Sequence, residues 1–191
     1  CTEYKDYPVI EWVAWFTNQG TQPTPMLSDI LAMNATLIGS APAVYHCNGD
    51  YYSEEGYTPR ETPLPADSEL RFAPNGGRPC DGAFPYYRIL FEDGGHSIAV
   101  GWPAQWAIQF NRLQDGVQVQ AGQQMTHLRL LPVERIRTPR MTILSWVGDS
   151  TRAVNLWRRW FLAHILPRPN GQPMTPLLAC AATDEGEEFT A

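Results

Sequence analysis

Lysine is almost missing, with Lys5 the one example in 191 residues. A P-loop lysine or a Schiff-base lysine therefore has essentially no candidate. Charge of any kind is scarce. Charged residues make up 18% of the chain, the formal charge is −6, and there is no basic run. That balance argues against a nucleic-acid surface, which needs clustered cations to meet phosphates. It also argues against disorder, because 43% of the residues are hydrophobic and a core is within reach. No uninterrupted apolar run approaches the roughly 18 residues of a spanning helix, and no leader pattern opens the chain. The four cysteines, Cys1, Cys47, Cys80 and Cys180, form no C-x-x-C pair. Zinc knuckles and thioredoxin motifs are thereby excluded. The thiols read as small buried groups, with a disulfide left open. The catalytic signatures G-x-S-x-G and H-E-x-x-H are absent, as is a strand-following G-x-G-x-x-G. Asp50, Glu54 and Glu55 do not have EF-hand spacing. No cofactor or metal is expected.

What the chain has instead is aromatics and turn formers: seven Trp, 17 Pro and 15 Gly. Many turns on a lightly charged, aromatic-rich chain favour β structure. Residues 8–17 read as one strand with apolar residues on both faces, as inside a layered structure. Further strands are expected over 29–38, 44–47, 70–73, 86–92, 96–102, 105–113, 117–121, 128–133 and 141–147. Asp93-Gly94-Gly95 forms a hairpin turn, and 117–121 alternates cleanly, with one wet face. The fold class is all-β, an antiparallel, supersandwich-like β-sandwich with one C-terminal α-helix.

That helix is expected over 150–166, capped by Asp149 or Ser150 and stopped by Pro167. Ala153, Val154, Leu156, Trp157, Trp160, Phe161 and Ile165 cover an arc of about 200° around it. One sheet does not need so wide an arc, so contact with a second body is expected. His164 lies within the arc and reads as an interface histidine. The resulting organisation is a sandwich over 1–148, a linker helix over 149–166 and a linker over 167–191 that ends in an acidic run.

Residues 48–85 form a long Pro- and Gly-rich loop region, and loops of that length commonly carry function. Asn48-Gly49-Asp50-Tyr51-Tyr52-Ser53-Glu54-Glu55-Gly56-Tyr57 combines carboxylates, an amide and three tyrosines. Aromatic faces meet the C–H face of a pyranose, while Asp and Asn meet its hydroxyls. Asp50, Tyr51 and Tyr52 are the candidate substrate-binding residues. The same loop also reads as a solvated one with its tyrosines lying on the sandwich. Trp102 and Trp106 read as core, or as a second sugar platform.

Several segments together resemble glycoside hydrolase family 36, the α-galactosidase family. They are Tyr7-Pro8-Val9-Ile10-Glu11-Trp12-Val13 with Phe16-Thr17-Asn18, Thr24-Pro25, Ile98-Ala99-Val100-Gly101-Trp102 with Gln105-Trp106, and Ala121-Gly122-Gln123. Ile136-Arg137-Thr138-Pro139-Arg140 and Asn155-Leu156-Trp157-Arg158-Arg159-Trp160 complete the set. The resemblance implies the N-terminal β-sandwich region of such an enzyme, with more strands before Cys1 and a (β/α)8 barrel after Ala191. The family's two catalytic aspartates lie in that barrel, so no catalytic residue is carried onto this chain. The implied partners are an α-galactoside, the barrel of the same polypeptide and a further copy in a homo-oligomer. Asp50 is the best single candidate for sugar contact from the sandwich. The alternative reading is a free-standing carbohydrate-binding sandwich. Asn34-Ala35-Thr36 is a glycosylation sequon.

Overall fold

The computed structural model describes residues 1–49 and 53–174. Two antiparallel sheets face each other. The large sheet runs, in spatial order, β1 (Thr2–Glu3), β2 (Val9–Trp12), β15 (Arg140–Val147), β10 (Gly94–Gly101), β9 (Tyr86–Phe91), β6 (Ala43–His46) and β7 (Arg60–Pro63). The small sheet runs β5 (Leu31–Ile38), β12 (Gly116–Gln123), β11 (Trp106–Leu113) and β8 (Glu69–Phe72). Two ribbons lie beside them: β4 (Leu27–Ser28) with β13 (His127–Leu128), and β3 (Trp15–Thr17) with β14 (Arg135–Arg137). The chain is therefore the all-β sandwich that its turn and aromatic content predict.

Alternation along the strands builds the core. Ile108 and Phe110 of β11, Val117 and Val119 of β12, and Met33 of β5 point inward from the small sheet. Val44, Tyr87, Ile89, Ile98, Val100 and Met141 meet them from the large sheet. A cross-sheet hydrogen bond, Trp12 Nε1 to the Ala32 carbonyl at 2.7 Å, helps fix the spacing.

The large sheet is buried on its other face as well. Helix α1 (Ser150–Trp160) lies on it, capped by Asp149, whose Oδ1 accepts from the Arg152 amide at 2.8 Å. A second cluster forms there from Val9, Leu144, Trp146, Ala153 and Trp160. The helix then widens into a π-helical turn over Phe161–Ile165, with the Leu166 amide donating to the Phe161 carbonyl at 3.0 Å.

The N-terminal run departs from expectation. It is not one strand buried on both faces but two pieces in different sheets. Val9–Trp12 stays in the large sheet, while Trp15–Thr17 peels away to pair with Arg135–Arg137. Thr138 holds the branch point: its Oγ1 accepts from the Ala14 amide at 3.0 Å, and its own amide donates to the Ala14 carbonyl at 2.9 Å. Trp15 is consequently 53% exposed. An apolar run shows that a segment is extended, not that it keeps one partner. A second departure is β7, inside the expected loop. Its Arg, Glu and Pro hide it from pattern reading, and they suit the edge position it occupies. The hairpin between β9 and β10 also turns one step earlier, on Glu92-Asp93.

Candidate functional site

Asp50, Tyr51 and Tyr52 lie outside the described residues, but the base of their loop is defined. β6 delivers the chain to Asn48, whose Oδ1 accepts from Arg60 Nη1 at 2.7 Å. Gly49 has φ +80°, and its amide donates to the Gly56 carbonyl at 2.7 Å. A Cβ on Gly49 would stand 2.4 Å from the Cys80 carbonyl oxygen, and one on Gly56 would stand 2.1 Å from the Gly49 carbonyl oxygen. Two glycines thus let the loop close on itself and on the 74–85 segment at once. Cys47 and Cys80 are both half-buried free thiols there. Burial pushes the Cys47 thiol above its ordinary range.

From this base a chain of aromatic rings runs to the helix. Tyr57 meets Phe84 edge to face at 5.5 Å, Phe84 stacks on Tyr86 at 5.0 Å, and Tyr86 meets Trp157 at 5.6 Å. Trp157 then contacts Trp160 at 5.0 Å, and Trp160 contacts Tyr4 at 5.6 Å. Each ring is within the range in which edge and offset geometries attract. Tyr57 is thus joined through ring contacts to Trp157 on the helix, a hundred residues away in sequence.

A cleft of about 300 Å³ opens between the helix and the large sheet, bounded by Glu11, Trp102, Arg140, Trp157, Trp160 and Phe161. Glu11 is 8% exposed and fully engaged: Oε2 accepts from Tyr4 Oη at 2.7 Å, and Oε1 accepts from Thr142 Oγ1 at 2.9 Å. Burial, with the Glu11 carboxylate next in weight, pushes the Tyr4 phenol up to about 12. Glu11 is the only carboxylate bounding this cleft among the described residues. Further along the helical segment His164 Nε2 meets Asp6 Oδ2 at 2.9 Å, with the imidazole packed between Tyr4 and Tyr7. Its hydrogen bond to His164 holds the Asp6 carboxyl below its ordinary range. Among the described residues no group of three His, Cys, Asp or Glu could hold a metal ion.

The helix arc divides into a covered and an uncovered part. Ala153 and Trp160 are buried, and Leu156, Trp157, Phe161 and Ile165 are half-buried against the sheet. Val154 is the one exposed member of the arc, at 39%, so the chain's own sheet covers the other six; Leu162 and Leu166, which lie outside the arc, are exposed at 56% and 41%. Of the proposed second platform, Trp106 is wholly buried and donates its Nε1–H to the Pro79 carbonyl at 2.9 Å, so it belongs to the core. Trp102 is half-buried with the Arg137 guanidinium 5.1 Å from its ring. Sequence reasoning missed the Tyr4–Glu11–Thr142 network. The one available signal was a glutamate in the middle of an apolar strand.

No protein-family model and no curated protein matches the chain. Solved structures match its fold. A variant of a GH36 α-galactosidase from Geobacillus stearothermophilus, in complex with 1-deoxygalactonojirimycin, superposes with TM-score 0.73 at 16% identity. That match covers 86% of this chain and 24% of the other. An α-galactosidase from Lactobacillus brevis gives TM-score 0.70 at 12% identity, over 81% of this chain and 22% of the other. The galactosidase domain of an α-galactosidase–sucrose kinase gives 0.63 at 14%, over 74% and 20%. The chain thus has the fold of one part of these proteins, and it spans 20–24% of their length.

Proposed function

We propose that the chain is the N-terminal β-sandwich of an α-galactosidase-like retaining glycoside hydrolase. In this reading it supports the catalytic barrel through its helix and presents the Asn48–Tyr57 loop toward bound sugar. One observation carries the reading: the fold match covers 74–86% of this chain inside much longer α-galactosidases. Val154, Leu162 and Leu166, each exposed along this segment, would gain by packing on another body. The wiring of Glu11 supports the reading too. Retaining hydrolysis needs two carboxyl groups about 5 Å apart across a sugar, and the helix cleft offers one carboxylate with both oxygens already engaged. Hydrolysis would then be the work of two carboxylates elsewhere in the parent polypeptide, with no cofactor.

The test is an assay with nitrophenyl α-galactoside on this chain and on the polypeptide extended into a barrel. The chain alone should show only background, and the extended form should turn over. Turnover by the chain alone that is lost in Asp50→Asn would overturn the assignment. In the active form, Asp50→Ala should lower kcat/KM by about 10- to 150-fold, the worth of a charge-assisted hydrogen bond of roughly 1.5–3 kcal/mol.

A further inference from the structure

Residues 175–191 lie outside the described part of the chain, and their sequence has two halves. No charge occurs between Arg168 and Asp184, and Pro176-Leu177-Leu178-Ala179-Cys180-Ala181-Ala182 is apolar throughout. Asp184-Glu185-Gly186-Glu187-Glu188 follows, with four carboxylates and no cation. The first half gains by leaving water, and the second by meeting cations.

The described surface holds a matching pair of features. Strand register places Tyr86, Ala99, Thr142 and Glu11 in one rung across the helix side of the large sheet, with Gly101 and Arg140 in the next. Ala99 and Gly101 put no bulk above the sheet, and the cleft of about 300 Å³ opens there, walled by Tyr86, Trp102, Trp157 and Phe161. Its walls are mainly aromatic, and the Glu11 and Thr142 side chains already bond to each other. Such a cleft suits apolar side chains better than a polar solute. A row of cations runs from its mouth. Arg140 bounds the cleft, Arg137 lies 5.1 Å over the Trp102 ring, and Arg135 lies 4.4 Å over the Trp15 ring. Residues 135–140 carry these three guanidiniums and no carboxylate.

The described chain ends beside these features. Ile165 bounds the cleft. Arg168 Nη2 donates to the Leu162 carbonyl at 3.0 Å, which keeps the chain at the helix end. A turn then reverses it: the Gln172 amide donates to the Pro169 carbonyl at 3.2 Å, with Asn170 and Gly171 both left-handed. Pro176 comes eleven residues after Ile165, within reach of the cleft for a chain that advances up to about 3.3 Å per residue. Six residues, 135 to 140, carry the cations, and five, 184 to 188, carry the carboxylates, so the two stretches match in length when extended.

We propose that the segment 176–188 straps this face of the sandwich, its apolar run filling the cleft beside the helix and its acidic run lying along Arg140, Arg137 and Arg135. A small anion would meet the arginines and leave the cleft open, and an apolar partner would do the reverse. The tail carries both halves in the order in which the surface presents them, and its tether raises its effective concentration. The proposal does not rest on the hydrolase reading.

The experiment is NMR on the 191-residue chain with labelled leucine methyls. Cross-relaxation should connect the Leu177 and Leu178 methyls to the ring protons of Trp102, Trp157 and Phe161, and should survive dilution. Leu178→Ser should speed amide exchange over 177–182 about tenfold or more, the worth of one buried leucine. The Ile108 and Phe110 amides should exchange as before, showing that the sandwich is intact. Arg135→Gln should speed exchange over 184–188 by up to about fivefold at low salt, and high salt should erase that difference. Missing methyl–ring contacts, contacts that vanish on dilution because a second copy makes them, or exchange unchanged by Leu178→Ser or by Arg135→Gln would overturn the proposal. Such a failure leaves the α-galactoside assay of the extended polypeptide untouched, and an inactive extended polypeptide leaves the strap untouched.

Discussion

The two outward faces of the sandwich solve the same problem in opposite ways. Each is the back of an antiparallel sheet whose front makes the core. The back of the large sheet is apolar and aromatic, and a helix lies on it. Glu11, admitted there, is buried with dedicated partners. Among the described residues no element packs on the back of the small sheet, and its amides bond mainly to one another. The difference teaches where each kind of function fits. An apolar face already half occupied suits attachment to another body, while a hydrated amide face suits exchange with a polar solute.

Four changes should break or sharpen this contrast. The largest effect is expected from Trp160→Ala. Trp160 is 2% exposed and touches Tyr4, Trp157 and Phe161, so its loss should cost about 3–5 kcal/mol in urea unfolding and free the helix to exchange its amides. A loss below about 1 kcal/mol would mean that the helix is not part of the cooperative unit.

Glu11→Ala should come next. It leaves the Tyr4 and Thr142 hydroxyls without their acceptor, at about 1–3 kcal/mol. Gly49→Ala should cost about 1–2 kcal/mol for the left-handed conformation alone. The 2.4 Å approach to the Cys80 carbonyl adds to that. Its sign on the loop is checked by comparing the chemical shifts of Tyr57 and Phe84 in the two proteins.

Gln118→Ala on the opposite face should be the mildest, at about 0.5 kcal/mol or less, because water replaces the lost partners. Gln118→Ala as costly as Glu11→Ala would erase the distinction between the faces.

The same contrast has a pH signature. The Tyr4 phenol is held up to about 12 in the folded chain against its ordinary value of 10.0. The unfolded chain therefore loses this proton first as pH rises. The stability that Tyr4 contributes is fully present below pH 10 and fades between about 10 and 12. Unfolding midpoints measured across that window should fall more steeply for the parent than for Tyr4→Phe. At the acid end, the Asp6 contact with His164 is lost as pH falls through the lowered Asp6 range. That pair is exposed, so its loss should be visible in the His164 ring shifts and hardly in the midpoint.

The sequence by itself determined the layers and the helix. Residues 105–123 carry period-two alternation on both sides of Gln114-Asp115, and that pattern can be satisfied only by a hairpin with one dry face. The span 150–166, closed by Asp149 and Pro167, carries helical period and a cap whose hydrogen bond is local. These features depend on neighbours in sequence, so they are legible there. Tertiary structure alone decided what each strand pairs with after a kink. Only Thr138, more than a hundred residues away, makes Ala14 the point where the N-terminal run changes sheets. Tertiary structure also decided that Tyr57, Phe84, Tyr86 and Trp157 form one line of rings, and that Gln118, Asn111, Asn34 and Gln109 lie side by side. The wet face of 117–121 was legible as polar; that its neighbours would be amides too was not. Side-chain periodicity is a property of one segment, whereas a site is a meeting of several, and register between distant strands is set by the packing of the whole core.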